Sequence, residues 1–258
     1  MKITIRYSIL VLCLFCTVIV LFTGCASKNT MPPNHAQQQA QLQLPSDTGK
    51  KHMIDAYDPW EGFNRQMYVF NYYFDKYLFL RVVSGYSFIT PNYVEDRITS
   101  FFKNLGELKN FTNCLFQLKF KESGVTLGRF VANSTIGLAG FYDPSTHFGW
   151  QRQNEDFGQT LGYYGSGPGP YLVLPVFGPS SLRDTSGLVF DSAVRMVAYD
   201  AALDDVDDKS TLLAVVNTLN AIDSRHRVGF RYYSSGSPFE YELVRRLYLD
   251  FRDIQIGK

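Results

Sequence analysis

Asp58-Pro59-Trp60-Glu61-Gly62-Phe63-Asn64-Arg65 opens the folded part of this chain, and the helix it announces decides how the rest is read. Asp58 offers an N-cap carboxylate, Pro59 suits the first helical position, and Glu61 stands at the third for a capping-box return. Apolar residues follow at Phe63, Met67, Phe70, Phe74 and Leu78, in steps of four, three, four and four, which make one helical stripe. The other side carries Asn64, Arg65, Asn71 and Asp75, with Tyr68 and Tyr72 beside them. The pattern is that of an amphipathic helix.

Downstream, Thr90-Pro91 marks a second start, leading into Val94, Ile98, Phe101, Phe102 and Leu105 and broken at Gly106. Leu108, Phe111, Leu115 and Leu118 make a third stripe, and Val125 to Ile136 a fourth segment. Each runs for roughly 10 to 15 residues with polar interruptions, too short to cross a bilayer alone. From Gly137 to Arg183 glycines and prolines crowd together, a density that argues against regular helix and against central strands. Helical character returns at Thr185–Tyr199, Ser210–Arg227 and Pro238–Ile254. The reading is mainly α, one helical domain over residues 57–258 with a long irregular Gly/Pro-rich loop and no internal repeat.

Upstream, residues 26–56 are polar and repetitive, with Pro32-Pro33 and glutamines at 37, 38, 39, 41 and 43. Such a stretch buries too little apolar surface to order itself and reads as a tether spanning roughly 30 Å on average. Before it, Lys2 and Arg6 flank the apolar run Ser8–Phe22, as in a signal peptide over residues 1–24. Leu21-Phe22-Thr23-Gly24-Cys25 resembles the lipobox of bacterial lipoproteins, Phe22 standing where leucine is usual. That resemblance implies cleavage before Cys25, a diacylglyceryl thioether on its sulfur and an acyl group on the new amine. Several acyl chains anchor stably where one does not. Ala26 in place of aspartate resembles an outer-membrane address. The other readings are an ordinary signal peptide that contains a cysteine, or an uncleaved anchor.

Composition narrows the class. Charged residues are 19% and aromatics 16%, with 21 Phe and 17 Tyr, which suits apolar or lipid surfaces. Loss of Lys2 and Arg6 with the leader takes the net charge from +1 to −1, without the basic excess that nucleic acid requires. Cys13 and Cys16 leave with the leader and Cys25 is lipidated, so Cys114 remains alone, a small buried side chain. No cysteine pair has the spacing of a metal site, and no cofactor motif is present.

Two blocks resemble the MlaA (also VacJ) family of outer-membrane lipoproteins. The first is Asp58-Pro59-Trp60-Glu61-Gly62-Phe63-Asn64-Arg65. The second runs from Glu155-Asp156-Phe157-Gly158-Gln159-Thr160-Leu161-Gly162 through Gly167-Pro168-Gly169-Pro170-Tyr171-Leu172-Val173-Leu174-Pro175 to Phe177-Gly178-Pro179-Ser180-Ser181-Leu182-Arg183-Asp184. Between them, Arg129-Phe130 and Asn133-Ser134-Thr135-Ile136-Gly137 resemble the family's fourth helix and its exit. Ser166 and Tyr164 depart from the valine and tryptophan common there. Beyond about Asp191 the likeness is only in helical character.

The resemblance implies a ring of short amphipathic helices lying in the membrane's inner leaflet around a central channel. It implies outer-membrane phospholipids as cargo, a trimeric porin as partner, and a soluble periplasmic lipid carrier (MlaC-like) as recipient. Irregular backbone at membrane depth survives only where protein buries it or it lines a watery cavity. Phe157, Gly158, Thr160, Leu161, Gly162, Gly167, Gly169, Pro170, Tyr171, Leu174 and Pro175 are therefore candidates for a channel wall or gate. The alternative is a rigid surface loop. Asp58, Pro59, Glu61, Asn64, Arg65, Gly178, Pro179, Arg183 and Asp184 are structural motif residues: Asn64-Arg65 fits backbone capping, and Arg183-Asp184 an ion pair or helix cap. Taken alone, the aromatic stripes would read as a soluble core.

Enzyme readings find little support. Ser166 lacks the glycine spacing of a nucleophile elbow, and the loop lacks the Gly-Lys-Ser/Thr of a phosphate-binding loop. His147 has Asp143 and Asp156 at hand for a dyad, whereas His35 and His52 fall in the tether and His226 in a basic run. No residue is assigned a catalytic role. A porin-associated structural lipoprotein and, less favoured, a tethered lipid hydrolase are the alternatives to lipid transport.

Overall fold

The computed structural model describes residues 56–257. The leader, Cys25 and all of the tether except Ala56 lie outside the described residues. Helix α1 (Glu61–Phe74) continues through a π turn (Asp75–Phe79) into α2 (Leu80–Ile89). Next come α3 (Asn92–Phe116), α4 (Phe120–Thr135), a single turn α5 (Pro144–His147) and α6 (Phe157–Tyr163). A hairpin, β1 (Tyr171–Leu174) with β2 (Gly178–Ser181), leads into α7 (Leu182–Ala202), α8 (Lys209–Arg227) and α9 (Glu240–Ile256).

The opening helix forms where its spacing predicts, but its cap does not. The helix is preceded by Trp60 without a side-chain cap. Asp58 turns away to accept from Asn64 Nδ2 at 2.8 Å, Tyr241 Oη at 2.5 Å and Arg245 Nη1 at 3.0 Å. A buried carboxylate gains more from a guanidinium and two further donors than from one helix N–H. Pro91 initiates α3 as expected. Gly106, however, does not interrupt it. The second and third stripes belong to one helix of 25 residues, and a Cβ at Gly106 would lie 3.0 Å from Arg152 Nη2. Such a helix is about 37 Å long, so polarity and not length keeps α3 from crossing a membrane; no described helix is both long and apolar enough to do so.

The Gly/Pro-rich segment is more regular than its composition suggests. Asp143 caps α5 with Pro144 inside its first turn, and Asp156 caps α6 by accepting from Gln159 N at 2.9 Å. Proline is tolerated in β2 for a local reason. Val173, opposite Pro179 in the antiparallel pair, sends its N–H to the Asn64 side chain and not across the ladder. Gly178 has φ +84°, a left-handed turn geometry that favours glycine. The π turn and α2 had no counterpart in the sequence pattern.

The helices pack with their polar faces inward. On α1 the buried stripe is Asn64, Tyr68 and Asn71, continued by Asp75 in the π turn, while Phe63 and Leu78 are about half exposed (47% and 53%). On α3 the buried set includes Glu95, Thr99, Asn104, Glu107, Asn110 and Asn113. The small apolar core is Tyr68, Tyr171, Val173 and Tyr241, with Tyr68 edge-on to Tyr232, Tyr233 and Tyr241. A soluble domain makes the opposite choice. Buried polar groups must be partnered, and here most are. Asp75 takes two bonds from Arg225, at 2.6 and 2.7 Å, and Arg129 joins Glu107 at 3.0 Å and Asp143 at 2.9 Å.

Candidate functional site

A charged clamp closes the base of the Gly/Pro-rich segment. Arg252 of α9 donates to both oxygens of Asp156, at 2.7 and 2.8 Å, and to Asp184 Oδ1 at 2.8 Å. Asp184 also accepts from Ser181 Oγ at 2.9 Å, Tyr248 Oη at 2.8 Å and Arg183 Nε at 3.2 Å. The two ends of the segment, 28 residues apart in sequence, therefore meet on one guanidinium. Burial works against charge on both carboxyls, yet Arg252 holds Asp156 down to about 2 and Asp184 below its ordinary range. The same carboxylates raise Arg252 further.

Glycines let the parts come this close. A Cβ at Gly187 would lie 2.3 Å from Gly158 N, and one at Gly158 would lie 2.5 Å from Asp184 Oδ1. Helices α6 and α7 touch there through backbone. Thr160 donates to Asn113 Oδ1 at 2.9 Å, and Gly162 backs onto Ile256. Asn64 and Asn71 hold β1 from the other side.

Beside the clamp lies a cavity of about 390 Å³ between α3, α7, α8 and α9. Phe102, Leu105, Leu108, Leu188, Val194 and Ala198 give it apolar walls, and Lys109, Asp156, Asp184, Asp191, Arg195 and Arg252 give it a charged lining. Of the residues the sequence singled out, Asp156 and Asp184 line this cavity; Phe157, Gly158, Thr160, Leu161 and Gly162 sit on α6, and Tyr171 and Leu174 on β1. Gly167, Gly169 and Pro170 connect these two elements, and Pro175 follows β1. Tyr171 is fully buried, while Tyr164 and Phe177 are exposed.

The motif residues take structural places. Asn64 bonds the backbone of β1, distant in sequence, where capping of neighbouring backbone was expected; Arg65 pairs with Glu61 and Glu242 and lies over the Tyr241 ring. Arg183-Asp184 is an ion pair, and Asp184 N is capped by Ser181 Oγ. Sequence reasoning missed Arg245 and Arg252, the cations that answer Asp58, Asp156 and Asp184. They lie beyond about Asp191, in the stretch where no motif had been recognised. Asp143 is committed to Arg129, Ser145 and Thr146, and Asp156 to Arg252; among the described residues neither is hydrogen-bonded to His147. Cys114 is buried, which pushes its thiol up to about 11. No group of residues suited to a metal ion occurs among the described residues.

The fold and site define a class of helical proteins that hold charge and amide groups inside, around an amphipathic cavity, and carry apolar side chains outside. The chain belongs to the MlaA lipoprotein family, whose model matches residues 56–255. It is similar to the intermembrane phospholipid transport system lipoprotein MlaA of Haemophilus influenzae (31% identity over 177 residues, 67% of this chain and 63% of that one). The Escherichia coli K12 protein of that name is 36% identical over 146 residues, 55% of this chain and 58% of that one. An uncharacterized Rickettsia prowazekii protein is 35% identical over 147 residues, 57% of this chain and 59% of its own. The matched part thus spans about three-fifths of these relatives. A solved structure from work on the structural basis for maintenance of bacterial outer membrane lipid asymmetry aligns with TM-score 0.62 at 27% identity, covering 78% of this chain and 100% of that chain.

Proposed function

We propose that this protein removes phospholipids from the outer leaflet of the outer membrane and passes them to a soluble periplasmic carrier. The observation that carries the reading is the inverted packing, polar within and apolar without, around an amphipathic cavity. Moving a charged headgroup past hydrocarbon costs several kcal/mol or more, and a polar passage inside an apolar body lowers that cost. The names of the Haemophilus and Escherichia relatives support the cargo. Anchorage through Cys25 at the inner leaflet, a tether over residues 25–56 and a trimeric porin partner complete the proposal. The Phe157–Pro175 segment, clamped at its base by Arg252, is the proposed channel wall or gate.

The test is the phospholipid content of the outer leaflet in cells lacking the protein, with and without a restored copy. Accumulation that the restored copy clears is the expected result. An unchanged leaflet in a strain whose parent holds the anchored protein would overturn the proposal. Porin loss with that unchanged leaflet would favour the structural lipoprotein instead.

A further inference from the structure

Three charges of the cavity lining make no ion pair among the described residues: the exposed Arg195, the half-buried Lys109 and, of opposite sign, Asp191. Lys109, half-buried, makes no ion pair or side-chain hydrogen bond among the described residues, although Asp156 and Asp191 both feel its charge. Asp191 is buried, and its two oxygens accept from neutral donors only, Asn113 Nδ2 at 2.9 Å and Phe157 N at 3.1 Å. The other carboxylates of the lining, Asp156 and Asp184, are already held by Arg252. Burial raises the Asp191 carboxyl above its ordinary value, more than its donors and Lys109 offset. A buried carboxylate bonded only to neutral groups favours an incoming cation, and a lone ammonium favours an anion.

We propose that this cavity holds a zwitterionic aminophospholipid headgroup, with its phosphate on Lys109 and its ammonium on Asp191. The assignment rests on the transport reading above and adds headgroup preference to it. At about 390 Å³ the space suits a headgroup and the first carbons of its chains, pockets for small ligands spanning roughly 300–1,000 Å³. The Leu105, Leu108 and Leu188 wall requires an apolar continuation that a soluble phosphoamine lacks. An anionic lipid with a glycerol headgroup would satisfy Lys109 and leave Asp191 facing a hydroxyl.

The experiment uses the full-length purified protein in nonionic detergent micelles with equal amounts of phosphatidylethanolamine and phosphatidylglycerol of identical chains. Retained lipid is quantified by mass spectrometry. Wild type is expected to retain the ethanolamine lipid in roughly fivefold excess or more, the effect of one desolvated charge contact. Asp191→Asn, which preserves shape, is expected to bring that ratio to about one by lowering the ethanolamine lipid roughly fivefold to the level of the glycerol lipid, and Lys109→Gln to lower both lipids roughly fivefold. Soluble phosphoethanolamine at equal concentration is expected to leave the lipid in place; displacement would overturn a lipid site. Equal retention of both lipids by wild type overturns the headgroup assignment and leaves the transport reading standing, with no variant needed. Retention of neither overturns both.

Discussion

The Asn64 side chain accepts the backbone N–H of Val173 at 2.8 Å, a bond that a neighbouring β-strand would otherwise supply. Its amide nitrogen donates to Tyr171 O at 3.0 Å, so one asparagine serves both groups on the outer edge of β1. Asn71, two helical turns on, repeats the arrangement with Leu174 O at 2.9 Å and Val176 N at 2.7 Å. A two-stranded hairpin is marginal by itself. Here helix α1 acts as its third strand through side chains.

Removing that support has a defined cost. Asn64→Leu leaves a buried carbonyl and a buried N–H unpaired, each costing about 1–3 kcal/mol. The expected loss in unfolding free energy is therefore about 2–6 kcal/mol. Asn71→Leu should cost somewhat less, and the double variant less than the sum, because both hold one strand. Full additivity in denaturant unfolding would show that the hairpin does not move as a unit.

Acid stability depends on the clamp. Asp156, held at about 2 against an ordinary value of 3.8, adds stability above that ordinary value and loses it as pH falls toward 2. The contribution is on the order of 2 kcal/mol. Asp184 is depressed in the same direction. Unfolding measured from about pH 6 to about pH 2 should therefore fall more steeply for wild type than for Arg252→Gln, which starts lower. Identical slopes would contradict the assignment.

Glycine substitutions should divide by position. Gly187→Ala places a methyl 2.3 Å from backbone nitrogen and should lower stability by about 3 kcal/mol or more. Gly124→Ala, in α4 with nothing within 4 Å, should raise it by about 0.5–1 kcal/mol. Melting temperatures of the two variants moving the same way would refute the close approach of α6 and α7.

Arg129 ties α3, α4 and α5 through Glu107, Asp143 and Trp150 O. Arg129→Met leaves Glu107 buried with only Arg152, 3.5 Å away, as a cation, and should cost about 3–5 kcal/mol. Adding Glu107→Gln should restore part of that loss, since the orphaned charge is then removed. No recovery in calorimetry would place the cost in packing instead.

Periodicity made the helices legible because each carries two chemically distinct faces at helical spacing. It could not say which face turns inward. Asn64, Asn71 and Asp75 look like a solvated face until their partners are known, and those partners lie on β1, in the turn after it and on α8. Pro91 was readable as a helix start because its effect is local. The hairpin went unseen because both its strands are edges, where Pro179 removes no ladder bond, and Gly106 was misread as a break because what packs against it, Arg152, is far off in sequence. Asp58 was misread as a cap for the same reason: its cation is 187 residues away. The charged lining of the cavity joins α3, the start of α6, α7 and α9, and no local pattern links them.

That distance between Asp58 and Arg245 also has a consequence for biosynthesis. The first motif of the domain cannot neutralise its buried carboxylate until α9 has left the ribosome. The clamp on Asp156 and Asp184 waits for Arg252 of the same helix. An emerging chain therefore leaves the carboxylates of Asp58 and Asp156 without their cations and closes over them only when α9 arrives. A product stopped before that helix would leave Asp58 and Asp156 without their cations and Asp184 with Arg183 alone, and expose itself to quality control.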